Sequence, residues 1–488
     1  MNETTFEIKA TGSVVEGVTL PDLDPAEDYK GYRGYSRAVL EATGARVWCE
    51  VKATTDQGDF VGILLPRSET ADDKHLVMKL TYNGYNVGIK SESIQHIEVL
   101  GYRKANYKIP EKEFPKDPVK PNVILLGTGG TIASRLDYRT GAVIPAFSPG
   151  ELYGAVPELA DIANMNTKKI FGEFSENIGP MHWKKVAEAV AAEIETGNVN
   201  GVVVGHGTDT MHYTAAALTF MVQNLPCPVV VVGSQRSSDR PSSDAAFNLL
   251  RAVKTAAEGD FGEVMVCMYG PTSDSYGLLH RGTRVRKMHS SYRSTFRTLS
   301  DTPIARVSQD GFVPIKEEDA FIHRDMSRKP VLNTAFEEKV TLLWYYPNMQ
   351  ADIVDAMVDA GYKGIVIAGT GLGHVNRPLF PALRRAVKAG VHIFMTVQTL
   401  WGYVQMYVYD TGRDIMEIGV TPLANMLPEV AYVKLGWVLG QTQEPAEVRR
   451  MMTTPVNGEI TEREPFDGYL VFQGGLPELE DYFKYHQV

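Results

Sequence analysis

The sequence predicts an α/β protein with a large parallel-sheet domain and a smaller α/β domain, preceded by a small β-barrel. Three observations lead to this prediction. Short apolar runs alternate with helical patterns over most of the chain after residue 121, which is typical of βαβ units. A proline-rich stretch precedes that pattern, and short β-rich runs precede the prolines. The length of 488 residues is enough for about three domains.

The N-terminal part divides at about residue 45. Residues 1–44 are polar and predict a loosely ordered extension, whereas residues 45–102 contain short β-rich runs separated by turn signals. Strands at this spacing predict a small barrel, which encloses too little volume for an active site. The predicted strands are Val47–Val51, Phe60–Leu65, His75–Leu80, Tyr85–Ile89 and Ile94–Leu100.

A linker is predicted over residues 103–120. Spaced prolines with many charges between them give an extended, semi-rigid connector. A domain boundary is therefore expected here.

The large α/β domain is predicted over residues 121–308. Its apolar runs are nearly unbroken, as in parallel strands that are buried on both faces. The predicted strands are Val123–Leu126, Gly201–Val204, Val229–Val232 and Val264–Met268, and the predicted helices are Trp183–Glu195, Thr214–Leu225 and Asp244–Thr255.

The α/β pattern is interrupted once and then resumes. Residues 309–337 are polar and irregular and predict an interdomain linker. Residues 338–475 repeat the alternation of strands and helices and predict the smaller domain, and residues 476–488 are a charged, aromatic tail.

Composition restricts the classes of function. The net charge is −10 and the pI about 5.7, which argues against a broad direct grip on nucleic acid. Neither a signal-peptide pattern nor an apolar run of membrane-spanning length is visible, so a cytoplasmic protein without membrane attachment is expected. The three cysteines, Cys49, Cys227 and Cys267, are far apart and predict buried thiols rather than a disulfide framework or a metal site.

Two threonine motifs follow apolar runs that end in glycine. The first is Gly-Thr-Gly-Gly-Thr-Ile-Ala-Ser, from Gly127 to Ser134. Its glycines allow a tight turn in which Thr131 faces a ligand, although Thr131 could equally cap the next element. A phosphate cradle is a weaker interpretation, because no lysine follows at P-loop spacing.

The second motif is Gly-His-Gly-Thr-Asp-Thr-Met, from Gly205 to Met211. It places Thr208 and Asp209 at the carboxyl end of a strand, where open α/β sheets bind ligands. Asp209 could serve only as a helix cap, or it could hold an ammonium group or orient a lysine.

Other candidates are less distinctive. Lys287 lies in a basic run, and only burial beside a threonine and an aspartate would let it take a hydroxyl proton. Ser175 and Glu176 precede a helix and could be caps or ligands for an amino acid's charged groups.

Together these motifs resemble the L-asparaginase/glutaminase family over roughly residues 121–475. The resemblance implies that Thr131 is the nucleophile and that Thr208, Asp209 and Lys287 complete the catalytic set. Counting back from Phe296 gives the family's lysine, and counting back from Trp183 gives the family's α-carboxylate and α-amino ligands, Ser175 and Glu176. Tyr138 falls at the flexible-loop tyrosine that assists the nucleophile.

A narrower resemblance comes from Gly233–Asp244 and from the N-terminal barrel, with Gly62–Arg67 and Asn83–Ile89. Both are similar to the GatD subunits of archaeal Glu-tRNA(Gln) amidotransferases, and residues 45–475 resemble that family throughout. The alternatives are a free-standing asparaginase with an unrelated N-terminal module and a non-catalytic scaffold.

The resemblance implies a glutaminase that supplies ammonia to a GatE-like partner subunit. That partner would bind Glu-tRNA(Gln) and amidate it with ATP and Mg²⁺, within a heterotetramer built on a homodimer of this chain. L-Glutamine is the implied substrate, and no metal or organic cofactor is expected in this chain. Which threonine attacks first stays open.

Overall fold

The computed structural model describes residues 7–68, 71–104, 116–129, 134–137, 142–145, 156–236, 242–271 and 273–465. These residues form two compact units. The first is built mainly from the N-terminal region, and the second contains two α/β sheets.

The first unit is a six-stranded sheet with two short helices. Its elements are β1 (Thr11–Val14), α1 (Pro25–Asp28), α2 (Gly34–Thr43), β2 (Cys49–Thr55), β3 (Gly58–Leu64), β4 (His75–Leu80), β5 (Asn86–Lys90) and β6 (Ile94–Tyr102). The strands pair in the order β1-β6-β2-β3-β4-β5, and every run predicted for residues 45–102 overlaps one of these strands. Residues on β2 alternate between buried and half-buried, so one face of the sheet covers the core.

The prediction that residues 1–44 form a loosely ordered extension was wrong for the described residues 7–44. Strand β1 pairs in parallel with β6, and α2 contributes Val39 and Leu40 to the core, where both are fully buried. An exposed edge strand and a helix with a narrow apolar stripe leave little hydrophobic pattern in the sequence, which explains the error.

The large α/β region lies between residues 122 and 332. Its elements are β7 (Asn122–Gly129), β8 (Ser134–Asp137), β9 (Ala142–Pro145), α3 (Leu159–Ile162), β10 (Asn164–Glu173), α4 (Pro180–Glu195), β11 (Gly201–Gly205), α5 (Met211–Met221), β12 (Val222–Gln223), β13 (Val229–Val232), α6 (Ala245–Glu258), β14 (Val264–Tyr269), β15 (Gly277–Arg281), β16 (Val285–Lys287), β17 (Phe296–Thr298), β18 (Ala305–Val307), β19 (Phe312–Pro314) and β20 (Val331–Leu332). The hairpin β8–β9 belongs to the first unit, although the sequence pattern assigned it to the large domain.

An eight-stranded sheet in the order β10-β7-β11-β13-β14-β15-β18-β19 forms the centre of this region. The first five strands are parallel and include all four predicted runs, while the last three are antiparallel. Alternate residues of each strand enter opposite cores: Val202 packs with α4 and α5, and Val203 with α6. Helices on both faces explain the unbroken apolar runs.

The interdomain linker predicted over 309–337 is partly a piece of the large domain. Strand β19 pairs with β18 at the sheet edge, and β20 pairs with β12. Strands of two or three residues are too short for sequence periodicity to reveal.

The smaller α/β region begins at residue 340. Its elements are β21 (Val340–Trp344), α7 (Asp352–Asp359), β22 (Gly364–Gly369), α8 (Phe380–Lys388), β23 (His392–Val397), α9 (Asp410–Ile418), β24 (Thr421–Pro422), α10 (Pro428–Gln441) and α11 (Pro445–Thr453). The four strands are parallel in sequence order. Phe220 of α5 stacks on Trp437 of α10 with ring centroids 5.9 Å apart, so the two sheets share one core.

The predicted thiols are present as buried, free cysteines at 49, 227 and 267. Burial raises the pKa of the Cys267 thiol to about 12, so the thiol stays protonated and unreactive. Within the described ranges, no helix combines the length and apolar character that a membrane span requires. Residues 105–115 of the predicted linker and the predicted tail, 476–488, lie outside the described residues.

Candidate functional site

The carboxyl end of β11 positions the second threonine motif. The strand ends at Gly205, and the backbone N–H of His206 donates to the carbonyl of Val232, which keeps the turn beside β13. Helix α5 begins at Met211, so the intervening residues form a short turn at the sheet edge. Thr208 is buried there, and the side chain of Asp209 is 69% exposed.

Lys287 reaches this turn from the two-stranded ribbon β16–β17. Its Nζ donates to Thr208 Oγ1 at 2.9 Å and to Asp209 Oδ1 at 2.7 Å. The lysine side chain is 10% exposed and the Asp209 side chain 69% exposed, so the cation is shielded from water whereas its carboxylate partner is open to solvent. The structure therefore joins three predicted catalytic residues in one hydrogen-bonded group.

Arg286, the neighbour of Lys287, points elsewhere. Successive residues of a strand face opposite sides, and Arg286 Nε lies 3.4 Å from the carboxylate of Glu429 in α10. Burial raises the pKa of that carboxyl group, and Arg286 opposes the rise. The smaller domain thus anchors the strand that delivers Lys287, a contact that no sequence signal revealed.

Gly233 has a packing role that its place in the Gly233–Asp244 segment did not predict. A Cβ at this position would lie 2.6 Å from the His206 carbonyl oxygen and 2.9 Å from Thr208 Cγ2. A side chain there would collide with this turn, so either the turn that carries Thr208 or the backbone at position 233 would have to shift. The glycine that directly follows the all-valine strand β13 was the available signal.

The loop after β13 is held by a buried carboxylate. Asp244 accepts hydrogen bonds from the backbone N–H groups of Gln235 and Arg236 at 3.0 Å and from Asn248 Nδ2 at 2.9 Å. Burial raises the pKa of Asp244, while these donors lower it. The described ends of the distinctive Gly233–Asp244 segment are therefore tied together.

The proposed substrate ligands Ser175 and Glu176 lie in a short 3₁₀ turn after β10. The Ser175 carbonyl accepts a 2.6 Å hydrogen bond from Thr210 Oγ1, which places this turn beside the second motif. Ser175 is buried, whereas Glu176 is exposed. Among the described side chains, Glu176 is not part of the hydrogen-bonded group of Thr208, Asp209 and Lys287.

The first motif is described only as far as Gly129. Thr128 Oγ1 donates to the Gly205 carbonyl at 2.8 Å, so the ends of β7 and β11 are adjacent. Gly129 has φ 107°, and a Cβ there would lie 2.5 Å from the Glu173 carbonyl oxygen. Thr131 and Tyr138 lie outside the described residues, and their predicted roles stay predictions.

The described groups favour acid–base and electrostatic chemistry. A lysine cation contacts a hydroxyl and a carboxylate at the edge where parallel sheets bind ligands. Among the described residues, no cluster of three or more His, Cys, Asp or Glu side chains could hold a metal ion.

Comparison with protein families divides the chain into three matching segments. Residues 122–319 match the N-terminal domain of asparaginase, and residues 339–452 match the glutaminase/asparaginase C-terminal domain. Residues 45–100 match the GatD N-terminal domain.

Individual relatives extend this result. The chain is 50% identical to the GatD subunit of the glutamyl-tRNA(Gln) amidotransferase of Thermococcus kodakarensis, covering 88% of this chain and 98% of the relative. It is 48% identical to the same subunit of the Methanopyrus kandleri enzyme, covering 88% and 94%. Among solved structures, the thermostable L-asparaginase of T. kodakarensis aligns with a TM-score of 0.62 at 31% identity, over 70% of this chain and 99% of that enzyme.

Proposed function

The chain belongs to the GatD family of glutamyl-tRNA(Gln) amidotransferase subunits, and we propose that it hydrolyses L-glutamine with a threonine nucleophile and passes the ammonia to a partner subunit. The single observation that best supports the proposal is the contact of Lys287 with both Thr208 and Asp209. An asparaginase-type hydrolase domain with this group intact is suited to cleaving a side-chain amide.

In the proposed first half-reaction, the Thr131 hydroxyl attacks the amide carbon of glutamine. Tyr138, Lys287 or an ordered water accepts the hydroxyl proton, and backbone N–H groups of the glycine-rich turns stabilise the oxyanion. The C–N bond breaks, the leaving nitrogen receives a proton, and ammonia departs. A glutamyl ester on Thr131 remains.

In the proposed second half-reaction, water attacks the ester carbonyl and glutamate leaves. Thr208 and Lys287 are hydrogen-bonded to each other and are positioned to activate that water. The roles of the two threonines could also be exchanged, with Thr208 attacking first. Neither half-reaction requires a cofactor in this chain, whereas ATP and Mg²⁺ would act in the partner.

Substrate binding is assigned to groups at the same edge. Asp209 Oδ1 is bonded to Lys287, and Oδ2 has no hydrogen-bond donor among the residues described. This carboxylate, 69% exposed, is available to the α-ammonium group of glutamine, with Glu176 as a second acceptor. Ser175 would hydrogen-bond the α-carboxylate.

We assign assembly to the six-stranded N-terminal sheet, which carries none of the groups that bind Lys287. Tyr82 and Tyr85 lie at the turn between β4 and β5 and are 76% and 48% exposed. Exposed aromatic side chains of this kind anchor protein interfaces at low entropic cost. We propose that this turn contacts the GatE-like partner, which binds Glu-tRNA(Gln), in a cytoplasmic heterotetramer built on a homodimer of this chain.

The alternative is a free-standing asparaginase. It is favoured by the asparaginase fold alone, but the solved asparaginase covers 70% of this chain, whereas the amidotransferase relative covers 88% and includes the N-terminal domain. The comparison therefore favours the amidotransferase component.

The decisive experiment measures Gln-tRNA(Gln) formation by this chain with its partner, using either glutamine or ammonium chloride as the nitrogen source. Thr131→Ala should abolish the glutamine-dependent reaction and leave the ammonium-dependent reaction intact. Retention of more than a few per cent of glutaminase activity would exclude Thr131 as the nucleophile.

A second experiment tests the partner contact. The double variant Tyr82→Ser/Tyr85→Ser should keep glutaminase activity and reduce co-purification with the partner. Unchanged co-purification would exclude the turn between β4 and β5 as the contact.

A further inference from the structure

His206, between the two glycines of the second motif, is fully buried and has no assigned role. Its Nδ1 lies 2.6 Å from the carbonyl oxygen of Gly207, and its Nε2 lies 2.8 Å from Thr214 Oγ1. Thr214 Oγ1 also accepts a hydrogen bond from Trp183 Nε1 at 3.1 Å. His206 in the turn after β11, Thr214 in α5 and Trp183 in α4 therefore form one buried hydrogen-bond network. This network ends at the backbone carbonyl of Gly207 in the second motif.

The donor and acceptor roles in this network follow from the groups at its two ends. A carbonyl oxygen only accepts hydrogen bonds, so His206 Nδ1 must carry the proton that it donates to Gly207. Burial lowers the pKa of His206 to about 4, so the ring is neutral near pH 7 and Nε2 is an acceptor. The Thr214 hydroxyl then donates to Nε2 of His206 while it accepts from Trp183. The donor and acceptor assignments in the network are therefore consistent.

The bond to Gly207 fixes the peptide that joins Gly207 to Thr208. Because the peptide unit is planar and trans, its C=O and N–H point in opposite directions. With the carbonyl held against the imidazole, the Thr208 N–H points away from the ring. No described group accepts a hydrogen bond from it, and the same residue's hydroxyl is bonded to Lys287.

We propose that His206 is a positioning residue that aims the Thr208 N–H at the oxygen on which negative charge develops during amide cleavage. The inference rests on the proposed function and extends it, because it names the group that fixes one oxyanion donor. A rotated peptide would instead turn the Gly207 carbonyl oxygen toward that charge. Loss of a single oxyanion donor typically lowers the rate by about 10²–10³-fold.

The test compares two substitutions in the full-length chain with its partner. The amide nitrogen of an asparagine lies near the position of Nδ1, and that of a glutamine lies near Nε2. His206→Asn should keep the donor to Gly207 and retain kcat within about tenfold, whereas His206→Gln should lower kcat by about 10²-fold. KM for glutamine should change less than threefold in both, and melting temperatures should fall equally.

A second pair covers the case in which neither histidine variant folds. Thr214→Val removes the hydroxyl that bonds Nε2 and should lower kcat by about 2–10-fold at unchanged KM, as expected for one neutral hydrogen bond, while Thr214→Ser should restore kcat. Equal kcat for Asn and Gln at position 206, or for Val and Ser at position 214, would show that this hydrogen-bond network serves only to stabilise the fold. A wild-type chain without glutaminase activity would instead overturn the proposed function.

Discussion

Two of the described glycine- and threonine-containing turns that follow parallel strands differ in what their side chains contact. The first follows β11 and contains Thr208 and Asp209, and the second follows β22 and contains Thr370 and His374. In the first, side chains reach outward to Lys287 on a separate ribbon. In the second, Thr370 Oγ1 donates to the His374 carbonyl at 3.2 Å, and the backbone of the turn closes through a bridge between the same residues.

The difference indicates that glycine and threonine at a strand end do not by themselves bring side chains from other elements together. At the first turn, β16 supplies a shielded cation, and α10 holds the preceding Arg286. At the second turn, the Thr370 hydroxyl donates to a backbone carbonyl of the same turn. The contribution of β16, which carries Lys287, can be measured by comparing substitutions at the two turns.

The largest effect is expected from removing the cation. Lys287→Met should lower kcat for glutamine hydrolysis by about 10²–10⁴-fold, the typical contribution of a positioned acid–base group. Steady-state kinetics of the purified complex measures it. Lys254→Met is a matched control, because Lys254 is 15% exposed and pairs with one carboxylate, Glu258, away from the site. If both variants kept wild-type kcat, Lys287 would have no part in catalysis.

The next effect concerns substrate anchoring. Asp209→Asn should weaken glutamine binding by about 1.5–3 kcal/mol, or roughly 10–150-fold, because a charged hydrogen-bond partner of the ammonium is removed. Asp260→Asn is the control, since Asp260 is also 69% exposed and pairs with a base, His323. The N-cap of α5 is Thr210, with no capping side-chain hydrogen bond, so an apparent affinity for glutamine that is equal in both variants would leave Asp209 only as the ion-pair partner of Lys287.

A smaller effect follows from the neutral state of His206. Its pKa falls from 6.5 to about 4 on burial, so the neutral ring stabilises the fold above pH 6.5, and that contribution is lost as the pH falls from 6.5 through 4. At pH 5 the loss is about 2 kcal/mol. The difference in unfolding free energy between wild type and His206→Asn should therefore shrink by about that amount between pH 8 and pH 5. Denaturant unfolding at both values tests this, and a constant difference would mean that the ring titrates normally.

The smallest effect is expected at the second turn. Thr370→Val removes a hydroxyl that bonds only its own turn, so kcat and KM should stay within about twofold of wild type. Kinetics measured beside Thr208→Val provides the contrast. A large loss of activity in the Thr370 variant would show that the second turn also contributes to the site.

The same contrast explains what the sequence could predict. Buried parallel strands and their helices were predictable because both faces are covered, as at Val229–Val232, where the predicted and observed ranges agree. The antiparallel strands β15, β18 and β19 were not predicted, because three to five residues carry too little periodicity.

The sequence motifs of the site could be predicted, but the contacts between its distant segments could not. Thr208 and Asp209 stand next to each other in the sequence, but the residues alone did not distinguish Lys287 from its basic neighbours. That choice came from family resemblance, and the structure gives its physical reason: Arg286 and Lys287 face opposite sides of β16. Gly233 and Glu429 act through packing between distant segments, which no local pattern encodes.

The central claim is that the site beside Thr208 and Lys287 produces the ammonia used for amidation. The most direct measurement follows ¹⁵N from amide-labelled glutamine into Gln-tRNA(Gln) made by this chain with its partner. The label should appear with the wild-type chain and disappear with Lys287→Met, while unlabelled ammonium restores amidation by the variant. Label that persists in the Lys287→Met product, or that never enters the wild-type product, would contradict the account.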